Sequence, residues 1–178
     1  MSLTQAYFLL AAILAIPGAM LSHPAGQRAL KAFPRSKPAA FVLFGAAAVW
    51  FLYGISRMGE ADLAGIPRPY MLGLFGAAAV GAFFLLPDLL AVRGLAGLLL
   101  LAMRPVLDAG VGKLPHSLVL ATVAYVIIFA ALFFGTAPYL LREWIAKALV
   151  SAGRARAVGI VFLAVAAVCL ACGLMNNA

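Results

Sequence analysis

Charged side chains are scarce in this chain. They make up 10% of its 178 residues, where a soluble domain carries about 25%. So few charges cannot cover a water-soluble surface, and a hydrophobic content of 66% excludes a disordered chain. Among the charged residues, the acidic ones are the fewer: five against 13 lysines and arginines, which gives a net charge of +8. A nucleic-acid-binding protein would pair such an excess with polar surface that this sequence has too little of, so we expect no nucleic-acid partner.

Long apolar runs are abundant, and the mean hydropathy is +1.12. A helix that crosses a bilayer needs about 20 mostly apolar residues, and the chain supplies such runs several times. The sequence therefore predicts an all-α integral membrane protein, a single transmembrane domain over residues 1–178 that is built as a six-span helix bundle. The predicted spans cover residues 4–22, 39–56, 70–87, 88–110, 116–141 and 157–175.

The fourth span is the weakest of the six. Its uncharged centre, Gly94 to Met103, is only about half as long as a hydrocarbon core is thick. It can cross only if the helix extends from about Asp88 to Gly110, with Arg93 and Arg104 reaching towards opposite interfaces. The alternative is five spans plus a re-entrant segment at this position.

Basic residues discriminate between these two topologies, because cytoplasmic loops carry an excess of lysine and arginine. Six spans place nine basic residues on one side and four on the other, whereas a re-entrant fourth segment gives seven and six. The rule therefore favours six spans with both termini on the non-cytoplasmic side. The first run lacks the basic N-terminal region of a signal peptide, so we expect it to be retained, and we expect a bacterial inner membrane.

Eight of the nine basic residues lie in two predicted cytoplasmic loops. We expect them to face anionic lipid headgroups, at about 1 kcal/mol each. In the second loop, residues 142–156, Trp144 and Ala148 fall on one side of a helix and Glu143 elsewhere, which predicts a short amphipathic helix in the interface. The eight residues are Arg28, Lys31, Arg35, Lys37, Arg142, Lys147, Arg154 and Arg156.

Small residues at four-residue spacing mark helix contact faces in lipid. Gly73, Ala77 and Gly81 form such a stripe on the third span, and Gly94 and Gly97 give the fourth span a small face. Two interpretations stay open for these faces: docking of a partner subunit, or packing inside this bundle.

The strongest candidate polar site consists of Asp88, Arg93, Arg104 and Asp108, on the hairpin of the third and fourth spans. Arg93 and Arg104 lie about 20° apart around one helix, and Asp108 is within ion-pair reach of Arg104. Charges in a membrane segment suggest a path for a substrate or ion. Near span ends they also serve as structural anchors, and both interpretations stay open.

Residues for catalysis or cofactor binding are few. Cys169 and Cys172 form a C-x-x-C motif, but no histidine follows it for haem and no second cysteine pair exists for zinc. His23 and His116 are predicted on opposite sides of the membrane, where they cannot ligate one haem together. No serine–histidine–aspartate set, H-E-x-x-H motif or phosphate-binding glycine loop is present. We therefore expect no catalytic residue, no cofactor and no metal.

Two classes of function remain. The first is a non-catalytic polytopic protein, an integral or accessory subunit of a larger membrane complex whose partners are lipid and other membrane subunits. The second is a small-solute or ion transporter or channel, which could be a homo-oligomer. A transporter needs polar groups near mid-membrane, and their scarcity favours the subunit. An enzyme that acts on lipid is the least supported alternative.

Overall fold

A computed structural model describes residues 1–59, 61–86 and 88–176. Within them the chain is helical without strands, and six helices are long and apolar enough to cross a membrane. These findings confirm the predicted six-helix, all-α membrane fold. The predicted end of the third span, Pro87, lies outside the described residues. The long helices are α1 (Leu3–Ser22), α3 (Lys37–Ser56), α4 (Arg68–Leu85), α5 (Leu90–Gly110), α6 (Leu118–Thr136) and α8 (Ala152–Met175), with the shorter α2 (Pro24–Ala32) and α7 (Tyr139–Ala148) and two 3₁₀ turns, Phe33–Arg35 and Ala61–Leu63.

The doubtful fourth segment forms one continuous helix, α5, which passes through Pro105 without a break. Its 21 residues give a length of about 32 Å, enough to cross a hydrocarbon core. The helix packs parallel to α3, with Gly94 against Phe44 and Gly97 against Ala47, and antiparallel to α6. A re-entrant segment would turn back within its own length, so the re-entrant alternative is wrong.

The two short helices, α2 and α7, contact each other. Four long helices, α3 to α6, separate them along the chain. Only an even number of crossings between them brings them back to the same end of the bundle. We call this end, which comprises α2, the turn Phe33–Arg35 and α7, the basic end.

The fifth long helix ends before its predicted boundary at residue 141. α6 stops at Thr136, and Ala137 leaves helical geometry at φ −126° and ψ 74° just before Pro138. Proline disfavours helical geometry in the preceding residue and has no N–H to donate. Residues 139–141 therefore belong to the short helix α7.

The predicted amphipathic segment 142–156 is divided between two helices. α7 ends at Ala148, and the Ser151 hydroxyl then accepts a hydrogen bond from the N–H of Arg154 at 3.2 Å, which caps α8. Because α8 begins at Ala152, ahead of the predicted residue 157, Arg154 and Arg156 lie in its first two turns. They are part of a long helix and not of the short interfacial one.

Four helices, α1, α5, α6 and α8, share the main buried core. Its most deeply buried large side chains include Tyr7, Leu10, Met103, Leu120 and Cys169. α3 joins this group through α5, and α4 contacts α3. The bundle is therefore a four-helix core with a two-helix extension.

Aromatic pairs join α4 to α3. Phe83 packs edge-to-face on Phe44 with ring centroids 5.2 Å apart, and it also contacts Phe41. Phe75 packs in the same way on Phe51, at 5.2 Å. No residue of α4 is buried. This helix is therefore the most peripheral part of the described fold.

Candidate functional site

The four polar residues predicted as one site are divided along α5. Asp88 and Arg93 lie at the basic end, and Arg104 and Asp108 lie three turns further along, a separation of about 16 Å. Asp88 pairs with Arg35, the Oδ1 to Nε distance being 4.0 Å, and this is the ion pair found within the described residues. Both side chains are largely exposed, so the pair contributes about 1 kcal/mol or less.

Arg93 is partly buried on the first turn of α5, and its Nε atom is buried without a hydrogen-bond partner in the described part of the chain. A buried donor left unpaired costs about 1–3 kcal/mol. A cation at this position also opposes the positive N-terminal end of the helix dipole. Internal packing therefore does not explain the presence of Arg93.

Arg104 and Asp108 are exposed. Neither lines the two grooves that the bundle forms beside α4. The structure therefore gives these two residues the position of surface groups near the end of the bundle opposite to the basic end.

The small-residue stripe, Gly73, Ala77 and Gly81, is open in the described structure. A Cβ atom added at Gly73 would meet nothing within 4 Å, and one at Gly81 would meet only the side chain of Leu85, a residue of the same helix. At about 100° per residue, the stripe lies on the side of α4 opposite to Phe75, which faces α3. The described bundle therefore leaves this stripe unfilled, and docking of a partner subunit on it stays a prediction.

The small face of the fourth span has the opposite outcome. A Cβ atom at Gly94 would overlap the backbone of Phe44, and one at Gly97 would lie 3.4 Å from the Cβ of Ala47. α5 therefore uses Gly94 to bring its backbone close to α3, so packing inside the bundle explains this face.

All eight loop residues predicted to face lipid headgroups are exposed. Four belong to the α2 region, two to α7 and two to the start of α8, so the fold collects them at the basic end. They are Arg28, Lys31, Arg35, Lys37, Arg142, Lys147, Arg154 and Arg156.

A groove of about 760 Å³ opens at the basic end where α3, α4 and α5 meet. We call it the charged groove, because Arg35, Lys37 and Asp88 line it together with apolar residues that include Phe41 and Phe83. A second groove of about 460 Å³, the apolar groove, lies further along the same three helices. Sequence reasoning missed both, because their walls come from helices that are far apart in the chain and carry no local motif. Ala47, Ala48, Phe75, Ala78, Ala79, Gly97 and Leu100 are among the lining of the apolar groove.

The cysteines and histidines lie apart from these grooves. Cys169 and Cys172 carry free thiols, and Cys169 is fully buried in the four-helix core. His23 lies at the basic end, where its Nδ1 accepts a hydrogen bond from the N–H of Ala25 at 3.4 Å. The carbonyl oxygen of His116, before α6, accepts one from the hydroxyl of a buried tyrosine. The two histidines therefore lie at opposite ends of the bundle.

Comparisons of the chain with protein-family models, with curated proteins and with solved structures gave no match.

Proposed function

We propose that this polytopic membrane protein is a non-catalytic subunit of a larger membrane complex, joined to a different membrane protein through the exposed face of α4. The observation that carries the proposal is the exposure of α4. Among the six long helices in the described part of the chain, α4 is the one with no residue buried inside the bundle.

The composition of the exposed face supports a helix as its occupant. Lipid tails are as apolar as leucine, so helices in a bilayer associate by close packing of small residues rather than by expulsion of water. Gly73, Ala77 and Gly81 form the small-residue stripe on this face, and the strongly exposed side chains of Leu74 and Phe84 lie beside it. A transmembrane helix of the partner would pack into the small-residue stripe and cover these large side chains.

Charge favours a different protein over a second copy of this chain. The net charge is +8, and a two-fold dimer through α4 would bring the basic ends of both copies to the same side of the membrane. Like charges repel, so a partner with fewer basic residues suits this face better.

The proposal includes the orientation of the protein in the membrane. The basic end carries nine of the 13 lysines and arginines, and cytoplasmic loops are enriched in these residues. We therefore place the basic end in the cytoplasm and both termini on the other side, in the inner membrane of a bacterium.

Fewer observations support a transporter or channel. Its path would need polar side chains that face a cavity near mid-membrane. The hydroxyls of Thr122 and Thr136 donate to the carbonyls of Leu118 and Leu132 within α6, and Tyr125 is exposed. The two described grooves are an apolar one and one at the end of the bundle.

The test is co-purification from the native membrane in mild detergent. We expect the wild-type chain to retain a stoichiometric membrane partner. We expect the double variant Gly73→Leu/Gly81→Leu to lose it, because the leucine side chains fill the small-residue stripe and keep the partner helix away. Gly45→Leu is the matched control: a Cβ at Gly45 also meets nothing within 4 Å, but it lies on α3. A pure homo-oligomer, or a partner that is retained by the double variant, would refute the proposal.

A further inference from the structure

The two grooves follow one another along α3, α4 and α5. On the α3 and α4 side, the charged groove is lined by residues 34–38, Ala40, Phe41 and Phe83, and the apolar groove by later residues of α3 and earlier ones of α4. The edge-to-face pair of Phe44 and Phe83 stands between them. We call the two grooves and the aromatic pair between them the crevice. It extends from Lys37 to Phe51, about 21 Å along the helix axis, and it is charged at the basic end, which we call its mouth, and apolar beyond the aromatic pair.

The mouth of this crevice attracts a negative charge. Arg35 and Lys37 stand there against a single acid, Asp88. α3 begins at Lys37 and α5 at Leu90, so two helix N-termini with their positive dipole ends also meet at the mouth. The structure gives no side-chain hydrogen bond that caps α5 at Leu89. The balance of charge is therefore positive, and exposed Arg35 is held only by the weak 4.0 Å contact with Asp88.

The depth of the crevice suits a hydrocarbon chain. Small residues, among them Ala47, Ala78 and Gly97, keep this part of the groove open between the larger aromatic rings. A ligand that matches both parts carries an anionic group at one end and an extended apolar chain at the other.

We propose that this crevice binds one acidic phospholipid from the leaflet at the basic end. Arg35 and Lys37 hold its phosphate, Phe41 and Phe83 cover the glycerol region, and an acyl chain lies in the apolar groove. Asp88 weakens the site by competing for Arg35. The site does not depend on the α4 partner, because the crevice lies on the α3 and α5 side of α4 and the small-residue stripe faces away from it.

Native mass spectrometry of the delipidated full-length protein in a neutral detergent tests the charge requirement. The probes are dioleoyl phosphatidylglycerol and dioleoyl phosphatidylcholine, which have the same acyl chains. Both lipids carry a phosphate, but the choline ammonium cancels its charge in phosphatidylcholine. Since each basic residue near a headgroup of net negative charge contributes about fivefold in affinity, we expect a preference for the acidic lipid of roughly 25-fold from two residues. Arg35→Gln/Lys37→Gln should abolish this preference, and Asp88→Asn should increase it about twofold or more, since a like charge near the phosphate is removed.

Arg57→Gln/Lys113→Gln is the matched control, because it removes two exposed charges from the opposite end of the bundle. It should leave the preference unchanged. An equal affinity of the wild type for both lipids would overturn the proposal, as would an equal loss of preference in the control and groove variants.

A second pair of variants tests the apolar part. Ala78 lines the groove on α4, whereas its neighbour Ala77 belongs to the stripe on the other side, and both are exposed. Ala78→Phe should block the acyl chain and reduce binding of phosphatidylglycerol at least about tenfold, since a filled groove excludes the chain's buried methylenes. Ala77→Phe should leave binding unchanged; equal binding by both variants would overturn the proposal.

Discussion

Tyr7 joins two helices that are far apart in the sequence. Its side chain is fully buried, its hydroxyl donates to the carbonyl oxygen of His116 at 2.6 Å, and it accepts from the N–H of Leu120 at 3.3 Å. Leu120 lies in the first turn of α6, where N–H groups have no acceptor within the helix. Ser117, at the N-cap position, makes no side-chain capping bond. Tyr7 therefore caps α6 from α1.

We predict that Tyr7→Phe lowers the free energy of unfolding by about 1–2 kcal/mol, because it leaves the buried N–H of Leu120 and the carbonyl oxygen of His116 without their partner. Tyr125→Phe is the control on α6, where the tyrosine is exposed, and it should change stability by less than about 0.5 kcal/mol. Unfolding in mixed detergent measures both. Equal stability of the two variants would show that the Tyr7 hydroxyl does not support the fold.

The role of Tyr7 was not predictable from local sequence. A tyrosine near the end of an apolar run is typical of a residue at the membrane interface. Its capping role depends on the adjacency of α1 and α6, which no pattern within either segment encodes. The close contact of α1 with α8, where a Cβ at Gly159 would lie 2.9 Å from the carbonyl oxygen of Gly18, was missed for the same reason.

At the scale of elements, hydrophobic length predicted the six long helices and their order. Helix ends were less predictable, because they depend on local caps and breakers. Pro138 ends α6 before the apolar run finishes, and Ser151 starts α8 while the sequence is still basic. Small-residue spacing predicted a contact face on α4 and one on α5, but it could not tell which of them is filled inside the chain.

Two glycines of α5 provide an element-scale test. Alanine at position 94 would overlap the backbone of Phe44, whereas alanine at position 97 would meet the Ala47 Cβ at 3.4 Å, an ordinary contact. We predict that Gly94→Ala lowers the free energy of unfolding by about 1–3 kcal/mol. Gly97→Ala should leave it unchanged or raise it by up to about 1 kcal/mol, since alanine favours the helix.

The same unfolding measurement checks this pair. A Gly94→Ala variant as stable as the wild type would mean that α3 does not approach α5 as closely as described. The substitution is identical in both variants and the sites are one turn apart, so a difference between them reports the contact and not helix propensity.

At the scale of the whole molecule, the contact between α2 and α7 is the feature on which the account depends. It fixes an even number of crossings between the two short helices and collects nine basic residues at one end. The sequence could predict this arrangement only through its charge distribution, since the fourth span is barely apolar enough. The grooves beside α4 could not be predicted, because each wall comes from a different helix.

The most direct test of the six-crossing topology is labelling of intact cells with a membrane-impermeant maleimide, in a background with Cys169→Ala and Cys172→Ala. Val150 and Val111 are exposed to similar extents, 73% and 75%, and lie at the basic end and the opposite end respectively. We predict that Val111→Cys is labelled from outside and that Val150→Cys is labelled only after the cells are permeabilised. Labelling of both from outside would contradict the crossing of α6. The reverse pattern would contradict the crossing of α5 if Ala32→Cys, at an exposed position of α2, is still labelled only after permeabilisation, and it would contradict the orientation if Ala32→Cys is labelled from outside.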